Sequence, residues 1–149
     1  MAINITPDLD PSKLSQAKKI ELVRQTDGLL IELLENEKIK GGLWLSYCSS
    51  LTHLPKGLEV ERYLDLEGCT SLIRLAKGLK IGGDLDLRGC TSLTHLPEGL
   101  KVRGDLNLHG CTSLTHLPDG LEVGGNLYLF RCSSLTLPDK LKVGNLSLA

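Results

Sequence analysis

Five cysteines recur 21 residues apart, Cys48, Cys69, Cys90, Cys111 and Cys132, and His53, His95 and His116 each stand five positions beyond one of them. A thiol with an imidazole in reach is the pairing that nucleophilic catalysis uses. Here it recurs unit after unit with no orienting carboxylate beside it, so it reads as repeat drift, and no enzyme activity is expected. Disulfides fit no better. The count is odd, and thiols stacked about 4.8 Å apart with parallel Cβ bonds are poorly oriented for bridging. A straight ladder also fails to supply the four converging ligands of a tetrahedral metal site. The cysteines are therefore expected to be reduced, inward-facing and packed as small apolar groups, which implies a reducing, cytoplasmic compartment. No metal or cofactor is expected.

The period that carries the cysteines carries everything else from about residue 39 onward. Paired leucines recur as Leu43/Leu45, Leu64/Leu66, Leu85/Leu87, Leu106/Leu108 and Leu127/Leu129, and a last pair, Leu146/Leu148, arrives two residues early. Further apolar columns run through Leu51, Leu54, Leu58 and Val60 and their counterparts one period on. Such self-similarity marks a solenoid, in which one coil cannot bury its own apolar face and neighbours stack to do so. Within a coil the L-x-L segment alternates like a half-buried strand. A Gly-Cys-Thr-Ser turn and an extended Leu-Pro return follow. Leu100-x-Val102 suggests a second short strand, and Gly82-Gly83 a corner into the next L-x-L.

Residues 1–38 do not repeat. Asp10-Pro11 is a good helix start, and apolar residues suggest a helix over residues 12–25 and another over 29–35. These would form an N-terminal α-helical cap over the open end of a repeat domain spanning residues 39–149, about five repeats plus a final strand. The closing stretch from Asn145 suggests an uncovered edge and self-association through the C-terminal strand. With 149 residues, a net charge of −1 and 41% hydrophobic content, the chain shows no membrane-length apolar run and no general pull toward nucleic acid or membrane. The N-terminus also lacks the basic and apolar regions of a signal peptide.

The unit L-x-L-x-G-C-T-S-L-T-x-L-P resembles the leucine-rich repeat, in the variant with cysteine at the asparagine position. The L-T-x-L-P ending is similar to repeats of bacterial effector and phage-encoded proteins. The resemblance covers residues 39–149 and departs at one place: a leucine usual three residues before L-x-L is replaced by Glu61, Gly82, Arg103 or Gly124. It implies a right-handed coil of stacked parallel strands whose concave face binds protein partners. It also implies a bacterial chain, including an effector delivered into a host cell. Alternatives are the recognition region of a larger enzyme such as an effector ubiquitin ligase, and a module that assembles end to end.

On that resemblance, the binding face consists of Tyr63, Asp84 and Asp105 before the strand centre, Trp44, Asp65, Asp86, Asn107 and Tyr128 at it, and Arg88, His109 and Phe130 after it. All five aromatic residues, Tyr47 included, lie in or beside this face, outside the aliphatic frame. Aromatics on a rigid surface are frequent binding anchors. The four aspartates would form an acidic patch favouring a basic protein partner. G-G-D-L-D-L faintly resembles calcium-binding glycine-aspartate repeats, but the nonapeptide period is missing. As surface residues, Trp44, Asp86 and Tyr128 should be replaceable with little loss of stability.

Overall fold

The computed structural model describes residues 10–148; residues 1–9 of the expected cap and Ala149 of the closing strand lie outside them. The repeat folds as a parallel β-solenoid of about five turns. Each coil contributes two short strands that meet at a corner: β1 (Lys38–Ile39) and β2 (Leu43–Trp44), β3 (Glu59–Val60) and β4 (Leu64–Asp65), β5 (Lys80–Ile81) and β6 (Leu85–Asp86), β7 (Lys101–Val102) and β8 (Leu106–Asn107). In the next coil the corner straightens, and β9 (Glu122–Tyr128) serves both rows; β10 (Lys142–Ser147) pairs with it. Every pairing is parallel, and from β1 to β9 it is in register at 21-residue steps, so Leu43, Leu64, Leu85, Leu106 and Leu127 stack. The β9–β10 pair contains a register shift between Val143 and Asn145, which takes the offset from 20 residues to 19 and so absorbs one of the two residues by which the last unit is short.

The apolar columns form one contiguous core through the first four coils. Toward the C-terminal end burial fades: Leu135, Leu141 and Val143 are half-buried, and Leu137, Leu146 and Leu148 are exposed. β10 has a pairing partner on one side only among the described residues.

The cysteines point inward as expected, but they are more than small hydrophobes. The thiols of Cys69, Cys90, Cys111 and Cys132 donate to the carbonyl oxygens of Leu45, Leu66, Leu87 and Leu108 of the preceding coil, at 3.1, 3.2, 3.1 and 2.9 Å. Each rung thus adds a second donor to a carbonyl that already accepts the cysteine N–H of its own coil, at the point where the chain leaves the strand and turns. Beside each cysteine the backbone enters the left-handed region. Gly68, Gly89 and Gly110 take it freely (φ 68 to 74°), whereas Tyr47 and Arg131 at the two ends adopt it with side chains attached.

A side-chain ladder joins the coils at the corner. Asp84 Oδ1 accepts the Asp105 N–H at 2.8 Å, Asp105 Oδ1 accepts the Asn126 N–H at 2.7 Å, and Asn145 donates to Asn126 Oδ1 at 3.0 Å. The residue before each donor is Gly104, Gly125 or Gly144, and a Cβ at Gly104 would lie 2.0 Å from Asp84 Oδ1.

The N-terminal region is less helical than its pattern suggests. Asp10 caps only a 3-10 turn, Pro11–Lys13, and the single α-helix among the described residues, α1 (Gln16–Gln25), starts from Ser15, whose extended backbone and hydroxyl cap it. The expected second helix is a 3-10 segment, Ile31–Leu34. Its neighbourhood is tied to the first coil at both ends, through Ser50 N–H to Asp27 O and Asn36 N–H to Lys56 O. That span favours the longer rise of a 3-10 helix over an α-helical contraction. Asn36 takes the left-handed conformation 21 residues before Gly57, so the repeat's path begins inside the non-repeating segment. Val23 of α1 joins Ile31 and Leu34 of the 3-10 segment in the core, and Gln16 and Lys19 anchor the helix to Glu37.

Two outcomes follow. Gly104 does not use the left-handed region, so alanine there would ordinarily gain about 0.4–1 kcal/mol. We expect Gly104→Ala instead to lose about 1–3 kcal/mol in urea denaturation, because the new methyl displaces the Asp84 rung. Burial pushes the thiols of Cys69 and Cys111 up to about 12 from an ordinary 9.0. Native-state thiol labelling at pH 9 should therefore spare these two and reach the half-buried Cys132 first; uniform rapid labelling would contradict the inward ladder.

Candidate functional site

The L-x-L face takes its geometry from the strand alternation. Residues between and beside the buried leucines project outward from β2, β4, β6, β8 and β9, one set per coil. The structure brings the expected site residues onto this one face, but it gives several of them internal partners.

In the central column the short polar side chains fold back on their own backbone. Asp65 accepts the Glu67 N–H at 2.9 Å, Asp86 the Arg88 N–H at 3.0 Å, and Asn107 the His109 N–H at 3.1 Å. These Asx turns end each strand at the same place. Asp84 and Asp105 serve the inter-coil ladder, so the acidic patch is partly a set of backbone acceptors.

Asp86 departs furthest from the expectation of a replaceable surface acid, being only 5% exposed. It receives the Arg88 guanidinium, with Nη2 2.7 Å from Oδ2 and Nε 3.0 Å from Oδ1, and the Tyr63 hydroxyl at 3.0 Å. Arg88 Nη2 also reaches Glu67 Oε2 at 2.8 Å, and the Tyr47 hydroxyl donates to Glu67 at 3.1 Å. Carboxylate oxygens of Asp65, Glu67 and Asp86 lie within 4.8 Å of one another, with Arg88 bound to two of the three. The guanidinium thus sits where a cation would otherwise balance the cluster. Burial, helped by Asp86 and Glu67, pushes the Asp65 carboxyl above its usual range. Burial and Asp86 likewise push the Tyr63 phenol up.

The aromatics gather at the two ends of the face. Trp44, 54% exposed, and the half-buried Tyr63 form a tilted pair with centroids 6.5 Å apart. At the far end His109 packs on Phe130 at 4.9 Å, and the Arg131 guanidinium lies 5.4 Å from the Phe130 ring centre. Tyr128 is half-buried in β9. Glycines seat the first group: a Cβ at Gly42 would lie 2.6 Å from the Trp44 ring, and one at Gly68 2.4 Å from the Tyr47 ring. Arg131 and the glycine seats escape sequence reasoning, because neither belongs to the L-x-L columns.

The thiol and imidazole columns do not combine. His95 and His116 pair through Nδ1 with the hydroxyls of Thr94 and Thr115, and His53 with Thr52 and Glu32. The thiols are committed inward to carbonyls.

The chain matches no protein-family model, and comparison with curated proteins and with solved structures finds no match.

Removing Arg88 should expose how much Asp86 depends on it. We expect Arg88→Ala to cost about 2–4 kcal/mol by leaving a buried carboxylate unpaired. Asp86→Asn in that background should recover most of the loss, since asparagine makes the same turn at position 107. A urea-denaturation double-mutant cycle measures this directly. A loss for Arg88→Ala below about 0.5 kcal/mol would mean that Asp86 is solvated.

Proposed function

We propose that this chain is a non-catalytic protein-binding module, a right-handed solenoid of the leucine-rich type that recognises its partner through the L-x-L face. The observation that carries the reading is Trp44. Its ring lies over Gly42 with more than half its surface exposed, and the core beneath is complete without it. A large, conformationally restricted aromatic on a rigid strand loses little entropy when a partner covers it.

Charge supports a basic partner. Asp65, Glu67, Asp84, Asp86 and Asp105 carry more negative charge than Arg88, bonded to Asp86 and Glu67, offsets, and their field favours association with positive surfaces. The parallel strands supply the rigidity, because each coil is held by its neighbours along both rows of pairing. A face of this kind fits a free-standing adaptor and the recognition part of a larger protein equally.

The test is comparative capture. Trp44→Ala and Phe130→Ala should each weaken retention of a partner, by up to about 2–4 kcal/mol where the ring is a hot spot. Lys77→Glu, an exposed change on the return segment, should leave retention unaltered. Melting curves should show the three variants folded like the parent. Normal binding by both face variants together with loss in Lys77→Glu would place recognition on the other side of the solenoid.

A further inference from the structure

The L-x-L face offers three places for a positive group, and the protein fills two of them itself. Arg88 lies in the central carboxylate cluster, bound to Asp86 and Glu67. Arg131 lies over Phe130 at the far end. Both are arginines, one used through its charge and its N–H fork, the other through contact with an aromatic face.

The third place combines both kinds of surface and holds no cation from the chain among the described residues. Trp44 is in register with Asp65 on the neighbouring strand, and Tyr63 projects from the same face as Asp65, two residues before it. The ring centroids stand 6.5 Å apart with the planes tilted by 42°, so the two rings present an angled aromatic surface. Each is fixed from behind: Trp44 rests on Gly42, and the Tyr63 hydroxyl is tied to Asp86. Asp65 spends Oδ1 on the Glu67 N–H, and among the described residues no hydrogen bond reaches its Oδ2.

We infer that Trp44, Tyr63 and Asp65 form a receptor for an arginine side chain of a protein partner. The assignment rests on the binding-face reading above and gives it a chemistry. A guanidinium plane can lie on the indole while its N–H edge reaches Asp65, which an ammonium cannot do simultaneously with the same area of contact. The raised carboxyl of Asp65 accords with this, since a half-buried anion beside Asp86 and Glu67 is relieved by an added positive charge.

Trp44 is the only tryptophan of the chain, so its fluorescence reports this place alone. The probe is the peptide acetyl-Gly-Arg-Gly-amide, compared with the same peptide carrying citrulline, a neutral isostere, or lysine. The arginine peptide should change Trp44 emission saturably, the citrulline peptide should not, and the lysine peptide should bind more weakly. Asp65→Asn keeps the Asx turn, as Asn107 does, and should weaken arginine binding about tenfold, the size of one close charge contact. Tyr63→Ala should weaken it about three- to tenfold through loss of one ring. A second readout, calorimetry on Trp44→Ala, should show binding lost without a change in melting temperature.

An equal response to arginine and citrulline overturns the proposal, as does tighter binding of lysine or binding unaffected by Asp65→Asn. The broader reading is judged apart from this. A partner still captured through Trp44 while the arginine peptide fails would leave the face as the interface and remove only its arginine chemistry.

Discussion

Parallel backbones stacked in register at about 4.8 Å leave little space between coils, and most of the sequence pattern answers that crowding. A Cβ at Gly82 would come within 2.1 Å of the Glu61 carbonyl oxygen, and one at Gly124 within 2.2 Å of that of Arg103. Glycine at these two positions lets the corner pass directly over the backbone of Glu61 and Arg103 in the coil before. The departure from the leucine-rich pattern before the L-x-L pair is thus the corner itself. A leucine at that position would have no room in alternate coils. The inward cysteines answer the same constraint, since a small side chain with a donor fits the turn and bonds to the coil before it.

The architecture was legible because stacking in register forces every coil to repeat its apolar positions. The columns of Leu51, Leu54, Leu58 and Val60 and their counterparts are buried down to the fourth coil, as their period requires. The second short strand and its glycine corner were also visible in Leu100-x-Val102 and Gly82-Gly83. What periodicity cannot carry is the direction in which an outward polar side chain finally turns. Asp65, Asp86 and Asn107 bend onto their own strand ends, and Asp84 and Asp105 reach along the stack. On paper these five differ in nothing from free surface acids and amides. Asp86 is buried because Arg88, two residues on, and Tyr63, one coil back, close over it; only three-dimensional neighbours decide that. The helical pattern of residues 29–35 misled for a similar reason, since it says nothing of the bonds that hold both ends to the first coil.

Within the face, self-satisfaction and openness are unevenly distributed. The middle is a closed network in which Arg88 joins two carboxylates, and it contributes order to the face. Such a network fixes the rotamers of Tyr63 and Tyr47, whose hydroxyls are bonded to Asp86 and Glu67. Rings held in this way lose less freedom when covered. The Asp86–Arg88–Glu67 network therefore braces the two tyrosine rings from behind.

The register itself has a further consequence. Trp44, Asp65, Asp86, Asn107 and Tyr128 occupy successive rungs of a single column, so the two aromatic ends stand four rungs apart, about 19 Å along the axis. That separation is counted in whole coils and does not depend on any loop. Duplication or loss of one 21-residue unit between them would shift the two ends by about 4.8 Å while leaving the chemistry of each untouched. The solenoid is in this sense a ruler, on which the distance between the two aromatic ends can be reset in fixed increments without redesigning either.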